Sequence, residues 1–351
     1  MIKGKAVHGW MLTNHLKDLT VNGIEATGII TFSHFTSWSA RHVEVVEMAT
    51  TKVEERVARV LGHLTPHAVR SVYPTPPNAE LIGMRRAQYS DEEWKVRCDL
   101  AAGYHIAHHK GWTQDIFNHI TAVVPGTRDI PGGPHFLINP FGLKFNEVYA
   151  SSLLKVDLAG NVVDPGDSSG PLFKQGFVVH SAVHQARHDI NVVVHNHHTD
   201  VAAVGMTAEG VLPLTQEAMS IHGKIAYHPF EGTATSLEER ARMAASLGPA
   251  MKVMILENHG PLTGGATFGE AFILMAALTR ACEYQTRALA IVGGDLSRLK
   301  IPSKETLEEA ARRAGEMAAS SKDGAVDYVE KFWDAMVRDV ERLDGASNIY
   351  R

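Results

Sequence analysis

Cysteine is nearly missing from this 351-residue chain, which has only Cys98 and Cys282. Both sit in helix-like segments, Cys282 within the apolar AALTRACEYQ. They read as reduced core residues of a cytoplasmic protein, since a secreted chain more often shows a paired framework. Long hydrophobic runs are missing too, and none reaches the length of a bilayer-spanning helix. The start, MIKGKAVHGWMLTNHLKDL, lacks the continuous apolar stretch of a signal peptide. Neither sign of charge dominates: Lys and Arg number 34 against 39 Asp and Glu, a formal net charge of -5. That balance gives no electrostatic reason for nucleic acid or an anionic membrane as partner. There is no GxSxG, no P-loop and no GxGxxG in a strand–helix setting, which removes triad hydrolases, nucleotidases and dinucleotide enzymes. With 44% hydrophobic and 21% charged residues, the chain suits one large domain with appendages or two domains. Histidine is the outlier, with 20 copies and a local concentration from His180 to His198.

Residues 1–47 show no sustained period and are expected to be an extension, without order of their own. From Met48, Val53, Val57, Val60, Leu61 and Leu64 recur at helical spacing, and the proline-rich SVYPTPPNAEL follows. Residues 48–89 therefore read as a helical arm and linker. A main domain is expected over 90–300 and an amphipathic helical tail over 301–351. Capping boxes at Ser90/Glu93, Ser236/Glu239 and Thr267/Glu270 mark helix starts. FLIN, LLKVDL, NVVVH and KVMILENHGPLTGG read as strands, the last broken by glycines, and FVVHSAVHQARHD as a helix. Helices and strands mix without a strict βαβ rhythm, which predicts an α/β sandwich rather than a doubly wound sheet.

The run VVVHNHHTD ends a strand of valines in histidines. Alternate residues of an extended segment share a face, so His195 and His197 point one way and Asn196 and His198 the other. Such a pair either grips one metal ion or is a set of turn histidines. His259, in LENHG, ends another apolar strand, and Gly260 after it leaves room for a ligand near the backbone. Three histidines on two strand ends suit a catalytic metal with open positions. His180 and His184 lie one turn apart on a helix face, as pocket residues or as buried hydrogen-bonded ones. His222 and His228 read as structural, and His105, His108 and His109 as a solvated helix face.

From about Glu92 to Gly294 the chain resembles the class II aldolase/adducin superfamily, most of all its adducin-like branch. The phrases that match in order are GW…IFNHIT, FLINPFGL, EVYASSLLKVDLAGNVV, FVVHSAVHQARHDINVVVHNHHT, LENHG and GEAF…LTRACEYQ. The resemblance implies a three-layer α/β/α sandwich with helical N- and C-terminal extensions. It also implies a homotetramer with active sites at subunit interfaces, and a divalent metal held by His195, His197 and His259. Zinc is the expected ion, with iron, manganese or cobalt as alternatives. The substrate side falls on Asn118, Asn139, Phe141, Gly142 and Gly260. Two departures stand out. Family aldolases carry a glutamate four residues before the histidine matching His180, where this chain has Gly176. Their phosphate loop is T-P-S-G-like, whereas Asn139-Pro140-Phe141-Gly142 puts a phenyl ring in place of a hydroxyl. Tyr350, near the end, matches a tyrosine that can donate a proton in family enzymes.

The expected function is a divalent-metal-dependent lyase acting on a small non-phosphorylated oxo- or hydroxy-acid. Decarboxylation or retro-aldol cleavage would pass through a metal-stabilised enediolate. With Gly176 lacking a side chain, His180, His184 or Tyr350 is expected to move the proton, His180 facing the metal and His184 behind it. The alternatives are a non-haem iron oxygenase on the same fold and a non-catalytic, adducin-like assembly protein.

Overall fold

The computed structural model describes residues 20–21, 24–25 and 86–351, apart from Ser169, 233–236 and 320–326. The chain divides into two units, Met1–Tyr73 and Pro74–Arg351. In the first, only an antiparallel ribbon of Thr20–Val21 and Ile24–Glu25 is described. The rest of the extension expected over 1–47, nearly all of the helical arm and linker over 48–89, and the cap Ser236 lie outside the described residues.

Eight strands form one sheet in the second unit: β1 (His119–Val123), β2 (Phe136–Ile138), β3 (Leu154–Val156), β4 (Val162–Asp164), β5 (Val192–His195), β6 (Ile225–His228), β7 (Val253–Leu256) and β8 (Gly260–Gly265). Their order across the sheet is β4-β3-β2-β1-β5-β8-β7-β6. All pairs are antiparallel except β6 with β7. β5 therefore lies near the middle, between β1 and β8, which is why three valines in succession are all buried.

Helices cover both faces. On one side lie α1 (Asp91–His109), α6 (Phe268–Val292) and α8 (Tyr328–Val340), where Leu100, Phe272 and Trp333 pack on Ile120, Val192 and Val194. On the other lie α2 (Lys174–Ala186) and α5 (Leu237–Leu247), where Phe177, Val183 and Met243 pack on Val123, Val193 and Met254. This is the expected three-layer α/β/α sandwich. The short α3 (Thr199–Val204) and α4 (Gln216–Ser220) follow β5, and α7 (Lys304–Ala319) precedes α8. The caps act as read: Ser90 accepts from the backbone N–H of Glu93, and Thr267 from that of Glu270.

Two local readings change. KVMILENHGPLTGG is a hairpin rather than one strand, because Asn258 adopts the left-handed conformation at φ 57° and turns the chain back. His105 is buried rather than solvated: its Nε2 lies 3.0 Å from the Val148 carbonyl, and its Nδ1 meets Asp344 near the C-terminus. That partner is 239 residues away and invisible to helix periodicity.

Candidate metal centre

The hairpin brings His259 to the end of β5. Gly260 makes the approach feasible, since a Cβ there would stand 2.4 Å from the carbonyl oxygen of Asn196. One ring nitrogen from each of His195, His197 and His259 lies within 4.8 Å of the others. Nε2 of His197 and Nε2 of His259 are 2.9 Å apart. The outer bonds set the tautomers. His195 Nδ1–H donates to the Pro261 carbonyl at 2.8 Å, and His197 Nδ1–H donates to Gln114 Oε1. Nε2 of each ring is thereby left as a lone pair aimed at the common point. His195 Nε2 is buried with no hydrogen-bond partner among the described residues.

Burial also keeps the rings neutral. It pushes His195 well below the ordinary imidazole range, with His259 and His119 adding to the effect. It pushes His259 down to about 4, reinforced by His197. Neutral imidazole is the form that binds a metal. The donor set fits a divalent ion of the zinc or iron class, for which imidazole is the preferred ligand. As expected from strand alternation, Asn196 and His198 face the other way. Asn196 donates to the Met275 sulfur of α6, and His198 pairs with Glu283 of the same helix.

His119 borders the cleft and was passed over in the sequence reading. It stands opposite His195 in the β1–β5 ladder, and the two rings stack with centroids 4.9 Å apart. A Cβ at Gly176 would lie 2.4 Å from His119 Cδ2. The imidazole therefore fills the space into which any side chain at 176 would grow, on the first turns of α2. The available signal was strand alternation in NHITAV, which places His119 and Thr121 on one face.

Behind His119 runs a buried chain of polar groups. His119 Nδ1 is 2.8 Å from His180 Nε2, and His180 Nδ1 is 2.6 Å from Thr121 Oγ1. Thr121 Oγ1 is also 2.7 Å from His184 Nε2. His180 and His184 do share one face of α2, and both are fully buried. A cleft of about 510 Å³ is bordered by His119, His197, His259, Phe117 and Phe173, and His180 connects to it through His119.

A pH dependence of stability follows. Burial pushes His184 down to about 3 and His259 to about 4. Above the unfolded pKa of about 6.5, neither state binds the extra protons. As the pH falls below it, only the unfolded chain takes them up. The metal-free protein should lose about 1.4 kcal/mol per pH unit per histidine, until the folded values are reached. Melting curves between pH 7.5 and 5 should fall with acid, and His184→Gln should shallow the slope by about one proton. A flat profile would contradict the buried neutral rings.

The remaining expected site residues do not themselves border the cleft. Asn118 accepts from the Gln114 backbone N–H, and its buried Nδ2 has no partner among the described residues. Asn139 is buried and accepts from the Tyr104 hydroxyl at 2.8 Å. Phe141 stacks on Phe173 at 4.7 Å, extending the apolar wall, while Gly142 turns the loop at φ 104°. Tyr350 lies on the other side of the sheet, against the α1 layer, where its hydroxyl donates to Glu341 at 2.8 Å. Desolvation and the neighbouring Glu341 carboxylate push its pKa up.

The family model of the Class II Aldolase and Adducin N-terminal domain matches residues 98–286. The chain belongs to the class II aldolase/adducin family. A Pseudomonas aeruginosa protein named for aldolase class 2 is 40% identical over 266 residues, 76% of this chain and 95% of that one. Rat alpha-adducin is 43% identical over 220 residues, which make up 63% of this chain and 29% of the adducin. The crystal structure of an aldolase II superfamily protein from Pseudomonas syringae aligns with TM-score 0.65 at 40% identity, covering 74% of this chain and 98% of that one. An L-fuculose 1-phosphate aldolase from Glaciozyma antarctica shares the fold, with TM-score 0.60 at 23% identity and 78% and 97% covered. The class II aldolase fold is thus shown. Among the described residues no helix is long and apolar enough to cross a membrane.

Proposed function

We propose that this chain is a divalent-metal-dependent lyase that decarboxylates, or cleaves by retro-aldol reaction, a small non-phosphorylated oxo- or hydroxy-acid. The supporting observation is the convergence of three neutral imidazoles, His195, His197 and His259, at the edge of an apolar-walled cleft. A bound divalent ion would supply Lewis acidity to a carbonyl or hydroxyl oxygen of the substrate. His119 takes the place of the absent carboxylate. Its Nδ1 is engaged by His180, which leaves Nε2 to exchange a proton with the reacting carbon. His180, Thr121 and His184 hold that ring and can pass protons behind it, so the role expected of His180 is exerted through His119. Asn118 Nδ2 is a spare donor for a substrate oxygen. Tyr350, on the far face of its own sheet, would act only at the centre of a neighbouring copy in a homotetramer. The free thiols Cys98 and Cys282, both held up at about 12 by burial, fit a reducing, cytoplasmic setting.

A screen of oxo- and hydroxy-acids with zinc, iron(II) and manganese(II) tests the activity. His119→Ala and His180→Ala should each cut turnover by roughly 10²–10⁴-fold, with metal content unchanged, and His184→Ala should cost less. Unaltered turnover in both would remove the proton-transfer role. Phosphorylated sugars should be poor substrates, because Phe117, Phe141 and Phe173 offer no hydrogen-bond donors to a phosphate. Efficient cleavage of a ribulose- or fuculose-type phosphate would contradict this.

Two other readings have an observation behind them. The all-imidazole donor set also suits iron(II) and oxygen activation, which substrate-dependent oxygen consumption would reveal. The 43% identity with alpha-adducin favours a non-catalytic assembly role. In that case metal removal would change stability alone.

A further inference from the structure

His228 closes β6, in register with Leu256 of β7, and borders the same cleft as His259. Its Nδ1 lies 2.9 Å from Ser246 Oγ, so Nε2 is the nitrogen left to bind. That Nε2 is buried without a partner among the described residues, in a residue only 3% exposed. Glu239, in the first turn of α5, is buried beside it, and Glu231 comes from the loop after β6. One ligand atom from each of the three lies within 4.8 Å of the others. Two carboxylates at that spacing repel, more so where one is shielded from water. Glu231 is also held by Arg242, whose Nε donates to its two oxygens at 2.9 and 2.7 Å.

We propose that His228, Glu231 and Glu239 form a second divalent-cation site, separate from the three-histidine centre and bordering the same cleft. One imidazole with two carboxylates is a harder donor set than three imidazoles, and it suits manganese(II) better than the first centre does. Arg242 is the built-in competitor, because a cation and the guanidinium draw on the same Glu231 carboxylate. The inference stands independently of the lyase reading, since it uses none of the residues assigned to that chemistry.

Manganese(II) titration of the full-length protein, followed by electron paramagnetic resonance and metal analysis after gel filtration, tests it. The wild type should bind two ions per chain. His259→Ala should keep the second ion, and Glu239→Gln should lose it. Arg242→Ala should tighten that site several-fold by removing the competitor, and its surface pair with Glu231 matters little for folding. A wild type that binds a single ion, lost in Glu239→Gln, would support this site while counting against the three-histidine one. The proposal is overturned if His259→Ala binds none, or if Glu239→Gln and Arg242→Ala both leave manganese binding unchanged.

Discussion

His259→Ala should purify as a folded protein with less than a tenth of the wild-type metal in the three-histidine centre, and with no turnover above background. The residue sits in a hairpin turn, and its ring contacts are with His195 and His197 rather than with the hydrophobic core. Its removal therefore takes away a ligand without opening a core cavity. Losing a group that merely supports a ligand already costs roughly 10–100-fold in affinity, so losing one of three ligands should cost more. His195→Ala is the less clean variant, because that side chain is fully buried between β1 and β8. Metal analysis by mass spectrometry alongside circular dichroism separates the two effects. Full metal occupancy in folded His259→Ala would detach this histidine from the centre.

Putting the family carboxylate back should damage the protein rather than improve it. In an ordinary helix interior, Gly→Ala stabilises by up to about 1 kcal/mol. At position 176 the new Cβ would meet the His119 ring at 2.4 Å, and that ring is held by His180 and stacked on His195. Overpacking of that kind costs roughly 1–3 kcal/mol, so the clash wins, and Gly176→Glu should be worse than Gly176→Ala. His119→Gly combined with Gly176→Glu removes the obstruction and should recover most of the lost melting temperature. The two positions should be strongly coupled in a double-mutant cycle. Additive effects would mean that His119 does not occupy the space of the missing side chain.

That pair also shows where the sequence stops being informative. Alternation along VVVHNHH places His195 and His197 on one face and Asn196 and His198 on the other, because the strand period is a local property. Capping at Ser90 and Thr267 is equally local, resting on a hydrogen bond three residues away. The layer architecture follows from the alternation of buried helices with fully buried strands. His119 is different: its significance depends on facing His195 across the ladder and Gly176 across the layer, and register between distant segments is not written in either segment alone. His180 keeps its expected place on the inner face of α2, but only the fold reveals that another ring stands in front of it. His228 looked structural for the same reason, since Glu231 and Glu239 gather around it only when the loop after β6 and the start of α5 come together.

Crystals grown with zinc, with diffraction recorded on both sides of the zinc absorption edge, test the three-histidine centre most directly. Anomalous density is expected between His195 Nε2, His197 Nε2 and a His259 ring nitrogen, at about 2.0–2.1 Å from each. Zinc-soaked crystals with no density at that point, or with His259 turned away from the other two rings, would contradict it.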